Sequence, residues 1–230
     1  MREVDPMEIV PALLAENFDD CVKILTQAES FIDLGVDYAC VGSRTPGHPE
    51  YGETPGVECT IGSLDQGFGM SVGMAIAERF LAAKFNRPGF EIINHYTYPI
   101  VSDGDFMEGV SSETASLAGH LKLAKLIYLY DNDHISLVGE TRLNLTEGVC
   151  KRFEAYGLHV QVVDDGNDIE ATSNAITLAQ SETAPLSLIA TQTHIGYGSP
   201  HRQDTFEAHG SPLRFQKPND ITVDWQRFLR

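Results

Sequence analysis

From residue 95 onward the chain alternates apolar runs of strand length with longer segments of helical character. HYTYPIV precedes EGVSSETASLAGHL, KLIYLY precedes TEGVCKRFEAYG, HVQVVD precedes DIEATSNAITLAQSE, and LSLIATQT closes the series. Parallel strands need a crossover of a dozen or so residues between them, and this rhythm supplies one each time. It predicts an α/β domain, a parallel sheet flanked by helices. Pro99 lies inside the first run and cannot donate to a ladder. That strand therefore begins only at Ile100, or the sheet is locally disturbed.

Upstream, QGFGMSVGMAIAERFLAAKF reads as a helix whose early glycines, Gly67, Gly69 and Gly73, permit close backbone approach. Residues 43–63 are rich in Gly, Pro, Ser and Thr and read as loop. Residues 1–42 suggest one or two helices, roughly Pro11 to Leu34, without a clear apolar period. The 230 residues are enough for one domain with a sizeable core. A formal net charge of −17 argues against nucleic acid and against anionic membrane surfaces as partners. No apolar run approaches the roughly 20 residues that span a bilayer. The acidic start, broken by Pro6 and Pro11, does not read as a signal peptide. Cys21, Cys40, Cys59 and Cys150 form no CxxC pair, which fits free thiols in a cytoplasmic protein.

Parallel strands bring their carboxyl ends to one edge, where open α/β sheets bind ligands. VSDGDFMEG sets Asp103, Asp105 and Glu108 just after one strand. YDNDHISL sets Asp131 and Asp133 after the next, and THIG follows the last. Oxygen ligands gathered from neighbouring strands suit a hard cation such as Mg2+, which takes one or two carboxylates and completes its shell with water and phosphate. Asp103 and Asp133 are the candidate ligands, and the Gly104 N–H could face a phosphate at the start of a helix. Taken by themselves, Ser102 or Asp103 equally serves to cap a helix beginning near Met107. Asp131-Asn132-Asp133 equally serves as a strand-exit turn.

Several segments together resemble transketolase, which moves two-carbon ketol units between sugar phosphates using thiamine diphosphate. They are SRTPGHPEYGETPGVE, LDQGFGMSVGMAIAERFLAAKFNRP, SDGDFMEGVSSE, YDNDHISL, CKRFEAYG, HIGYGSP and EAHGSPL, in family order from Ser43 to Leu213. The resemblance implies a thiamine-diphosphate-binding fold over residues 43–230, limited to the diphosphate-binding domain and incomplete, with residues 1–42 unmatched. It implies Mg2+ on Asp103, on Asp133 and on the backbone carbonyl of Ile135, and diphosphate at Gly104. Gly62, Ser63 and Leu64 match a stretch near the aminopyrimidine ring. His209 matches a histidine near cofactor and substrate, His48 another lining the substrate channel, and Glu108 a glutamate near the partner subunit. Read without the family, both histidines are ordinary loop residues.

The departures matter equally. Asp133 stands where the family has Asn, Ser63 where it has Pro, Asp65 where it has Gly, and Val138 where it has Asp. Gly148 and Gln192 replace a common Asp and a basic residue. An added unit charge near a diphosphate costs about 4 kcal/mol at ~4 Å and an effective dielectric of 20, partly offset by a metal. Asp65 adds strain if that position is left-handed. Complete transketolases carry two further domains, one supplying the glutamate that activates the cofactor, and an early segment with two more histidines. The expectation is thus a thiamine diphosphate- and Mg2+-binding domain inactive alone. The alternatives are one subunit of a split enzyme that needs a partner chain, and a self-associating module such as a homodimer.

Overall fold

The computed structural model describes residues 51–52, 56–199 and 201–209. The helices expected between Pro11 and Leu34 lie outside the described residues. Helix α1 spans Leu64–Phe85, followed by strand β1 (Ile100–Ser102), a single turn α2 (Asp103–Phe106) and helix α3 (Gly109–Leu121). Strand β2 (Ile127–Asn132) leads into a small hairpin, β3 (Ile135–Ser136) and β4 (Gly139–Glu140). Helix α4 (Val149–Ala155), strand β5 (His159–Val163), helix α5 (Ile169–Ser181) and strand β6 (Ser187–Gln192) complete the alternation.

The four longer-range strands form one parallel sheet in the order β1-β2-β6-β5, so the expected α/β sheet is present. The first strand is shorter than its apolar run. It starts at Ile100; before Pro99 only a single bridge, Thr97 with Leu126, continues the pairing. Pro99 still accepts from the Leu129 amide at 2.9 Å through its carbonyl, the one ladder group it retains.

Alternation along β2 divides the core. Leu126, Tyr128 and Tyr130 join Phe68, Val72 and Ala75 of α1, Ala115 and Ala118 of α3 and Phe153 of α4 on one face. Ile127 and Leu129 meet Ala175, Ile176 and Ala179 of α5 on the other, beside Tyr96 and Tyr98. In α1, Phe68, Val72 and Ala75 recur at helical spacing, and this face is what the helix buries. Ser71 continues that stripe as a polar member, bonded to Tyr128 Oη at 2.8 Å, while the Tyr128 ring stacks on Phe68 at 4.1 Å. Glu78 is buried too, and its charge is met by Lys125 Nζ at 2.6 Å.

Helix ends follow local chemistry. Asn86 stops α1 and accepts the amides of Ile92 and Ile93 on its side-chain oxygen at 3.0 and 2.9 Å. Asp168 caps α5 by accepting from the Ala171 amide at 2.9 Å. The glycines of α1 do not serve close backbone approach: Gly73 faces open space, and a Cβ on Gly67 would meet only the Ile61 side chain. Gly119 of α3 serves that purpose instead. A Cβ there would lie 2.0 Å from the Tyr156 carbonyl oxygen, at the end of α4.

Alanine normally gains about 1 kcal/mol over glycine inside a helix. Gly119→Ala is expected to do the reverse and destabilise by about 1–3 kcal/mol, because backbone must move to admit the methyl group. Chemical denaturation measures it; a variant as stable as the parent would show that α3 and α4 tolerate wider spacing.

Candidate functional site

The register places Ser102, Asp131 and Thr191 side by side across β1, β2 and β6. Residues just beyond them therefore crowd the carboxyl edge. Two carboxylates of the same turn behave differently there. Asp105 closes a capping box: it accepts from the Ser102 amide at 2.7 Å and from the Ser102 hydroxyl at 3.2 Å. Ser102 is thus the cap, for α2 rather than for a helix near Met107. Asp103, the first residue of α2, caps nothing.

Asp103 is 2% exposed. Its Oδ1 accepts a hydrogen bond from the Tyr130 hydroxyl, while its Oδ2 is buried with no partner. The His134 amide approaches the carboxyl and favours its charged form without a well-aligned bond to that oxygen. Asp133 is half-buried and accepts from the Ile135 amide at 2.8 Å, an Asx turn at the exit of β2. The turn reading therefore holds, and the same turn carries Asp133 close enough to Asp103 and Asp131 for their charges to interact. His134, next in the chain, takes a left-handed backbone with φ 60°. Asp131 accepts from the Thr193 hydroxyl of the neighbouring strand's exit.

Burial is the first cause raising the pKa of Asp103, Asp105 and Asp133 above the ordinary 3.8. Neighbouring carboxylates add to the rise, Asp131 for Asp103, Glu108 for Asp105, and Asp131 with Asp103 for Asp133. Burial likewise pushes the Tyr130 hydroxyl upward, with the bond to Asp103 adding to it.

Other candidate residues gather at the same place. Leu64, at the start of α1, lies against Gly104: a Cβ on that glycine would meet Leu64 Cδ1 at 2.7 Å. Ser63 is the exposed N-cap of α1, and Gly62 precedes it, also exposed. Glu108 reaches from the start of α3 to accept from the Asp65 amide at 3.2 Å. Asp65 sits in the first turn of α1 and is not among the described residues with positive φ, so the strain expected at this position is absent. His209 is exposed, and its charge acts on Asp133. His48 lies outside the described residues.

The sequence reading missed Tyr130 and Thr193. A signal for Tyr130 existed: alternation puts it on the buried face one residue before the acidic exit, where a tyrosine hydroxyl must find a partner.

Among the described residues, no three His, Cys, Asp or Glu side chains stand together as a metal cluster. The candidate donors are instead two carboxylates, Asp103 and Asp133, whose charges interact, with a neighbouring backbone. An all-oxygen set with a buried, partnerless carboxylate oxygen fits a hard divalent cation. Two clefts lie elsewhere, one bordered by Ile76, Phe80 and Leu121, the other by Asp164, Asp168 and Leu178; neither includes Asp103 or Asp133.

Fold and edge together define an α/β protein whose parallel strands deliver acidic residues to one edge of the sheet. The family described as transketolase, thiamine diphosphate binding domain, matches residues 29–225. A transketolase of Geobacillus stearothermophilus is 58% identical over 176 residues, 76% of this chain and 26% of that one. One from Aquifex aeolicus is 56% identical over 173 residues, 75% of this chain and 25% of the other. Among solved structures, transketolase from Leishmania mexicana superposes with a TM-score of 0.74 at 46% identity, covering 84% of this chain and 28% of that one. A Pichia stipitis transketolase in complex with sedoheptulose-7-phosphate gives 0.70 at 45%, covering 77% and 26%. The chain belongs to the transketolase family, as its thiamine diphosphate binding domain. It spans about a quarter of the length of the curated relatives it matches. No described helix is long and apolar enough to cross a membrane.

The raised carboxyls set a pH dependence. Folded, Asp103, Asp105 and Asp133 hold protons more tightly than when unfolded, so their contribution is full below the ordinary 3.8 and lost as pH rises through the raised values. Exposed Glu140 and Asp165, lowered by Arg142 and by the Asn167 amide, act weakly in the opposite sense. The metal-free chain is expected to lose thermal stability as pH rises from 3.8 toward neutrality, with a flatter profile in Asp103→Asn. A midpoint that climbs across this range would contradict the desolvation of these groups.

Proposed function

We propose that this chain holds Mg2+ and the diphosphate of thiamine diphosphate for a ketol-transferring enzyme that acts on sugar phosphates. Residues beyond the quarter of the relatives' length spanned here, from the same or a partner chain, are then required for turnover. The observation that carries this reading is the buried, partnerless Oδ2 of Asp103 beside Asp133 at the sheet's carboxyl edge.

Asp103 and Asp133 hold the metal, with the Ile135 carbonyl as a further oxygen. When bound, the ion supplies positive charge between the acids and the diphosphate, and the cofactor carries the two-carbon unit. Gly104 offers its N–H to the diphosphate; the lack of a side chain there is what lets Leu64 pack close by. Gly62, Ser63 and Leu64 border the aminopyrimidine as the chain enters α1. His209, whose charge reaches Asp133, and His48 serve the cofactor and substrate side. Asp133 in place of Asn keeps an oxygen donor but adds charge beside the diphosphate.

Calorimetric titration of the folded chain with thiamine diphosphate, with Mg2+ and then with chelator, tests the reading. Chelator-sensitive binding is expected. Asp103→Ala should abolish it with no drop in the metal-free thermal midpoint, since the substitution removes a desolvated carboxyl. Asp133→Asn should tighten it. Equal binding by Asp103→Ala and parent would remove Asp103 from the metal site.

A second reading, self-association, is favoured by exposed apolar residues along α1: Met70, Ile76 and Phe80, the last 62% exposed. Sedimentation without cofactor should then show concentration-dependent dimers; a monomer at all concentrations would end that reading.

A further inference from the structure

A metal-binding carboxylate must present the right oxygen, and an aspartate's terminal torsion is broad and two-fold, so its own chemistry does not choose. Here something else chooses. The Tyr130 hydroxyl donates to Asp103 Oδ1, which leaves Oδ2 as the atom without a partner. We infer that Tyr130 is a positioning residue for the metal site, holding Asp103 by one oxygen so that the other is kept free for the cation.

Tyr130 is itself held by the core. It is 3% exposed, and its ring meets Phe106 edge-on at 4.8 Å and 71°. Phe106 packs on Phe153 at 4.7 Å, and its carbonyl accepts from Arg152 Nη2 at 3.1 Å. The guanidinium lies over both phenylalanine rings, 5.8 and 5.4 Å from their centroids. The hydroxyl has a second acceptor within reach, Asn132 Oδ1 at 3.0 Å, but its single proton is bound more strongly by the carboxylate. Asn132 is fixed in turn, its carbonyl accepting from Gln192 Nε2 at 2.8 Å. Every atom that sets the direction of the Tyr130 hydroxyl thus belongs to a sheet strand, to the α2 turn or to α4. Asp103 follows the end of β1, and the β1–β2 register, which pairs Val101 with Tyr130, brings the two side by side.

The inference rests on the reading that Asp103 ligates the metal, and the experiment separates the two. Parent, Tyr130→Phe and Asp103→Ala chains are titrated with Mn2+ in the presence of thiamine diphosphate, and free Mn2+ is followed by its electron paramagnetic resonance signal. Removing an outer partner of a metal ligand typically weakens metal affinity by about ten- to a hundredfold, and that loss is expected for Tyr130→Phe. An ultraviolet difference spectrum on adding Mn2+ should show a tyrosine perturbation in the parent that Tyr130→Phe lacks, which a role in packing alone would not produce. Parent-like affinity in Tyr130→Phe, with binding lost in Asp103→Ala, would overturn the inference and leave the metal reading intact. No Mn2+ binding by the folded parent would remove both. Should Tyr130→Phe fail to fold, Phe106→Leu decides: it keeps the hydroxyl and loosens its support, so weaker Mn2+ binding upholds the inference and parent-like binding overturns it.

Discussion

Strand β2 is paired on both sides, by β1 and by β6, in parallel. The rest of the molecule depends on that pairing. Its two faces define the two halves of the core, and its exit is the middle of the acidic edge. Side chains alternate with a period of two along a strand, so a slip of one residue would turn Tyr130 away from Phe106 and Asp103 and carry Leu129 into its place. Core packing and site geometry are therefore fixed by one register, and neither can drift without the other.

The edge so formed is electrostatically uneven. Asp103 and Asp105 share one turn, yet Asp105 has its amide and hydroxyl donors while one oxygen of Asp103 has none. A chain of net charge −17 also brings Asp131 and Asp133 close enough for their charges to interact with Asp103. Buried polar groups are nearly always satisfied, and exceptions concentrate where a protein does something other than stay folded. Local discomfort in the ligand-free state is what the proposed cation would relieve.

Much of this was legible in the sequence, for identifiable reasons. KLIYLY, HVQVVD and LSLIATQT are β-rich runs separated by helix-length segments, so β2, β5 and β6 fall within a residue or two of where periodicity puts them. That Asp103 and Asp133 share an edge follows from parallel pairing alone. What was not legible depended on side-chain geometry. Gly119 was passed over because its tight neighbour, the Tyr156 carbonyl, lies 37 positions away in the chain, whereas Gly67 and Gly73 drew attention by mere spacing. Asp65 gave a false warning because its backbone is plain helix. Tyr130 looked like core, and its ring is; only the position of its hydroxyl shows the second role.

Pro99 has a further effect, at the border of the sheet. Among the described residues β1 is an outer strand, and an outer strand offers its free amides and carbonyls to any passing chain. Here the regular stretch is cut to Ile100–Ser102, with a residue that has no N–H just before it. A template three residues long gives a foreign strand too few hydrogen bonds to hold on. The same proline that shortens the pairing with β2 therefore leaves this border of the sheet, among the described residues, a short template for any further strand.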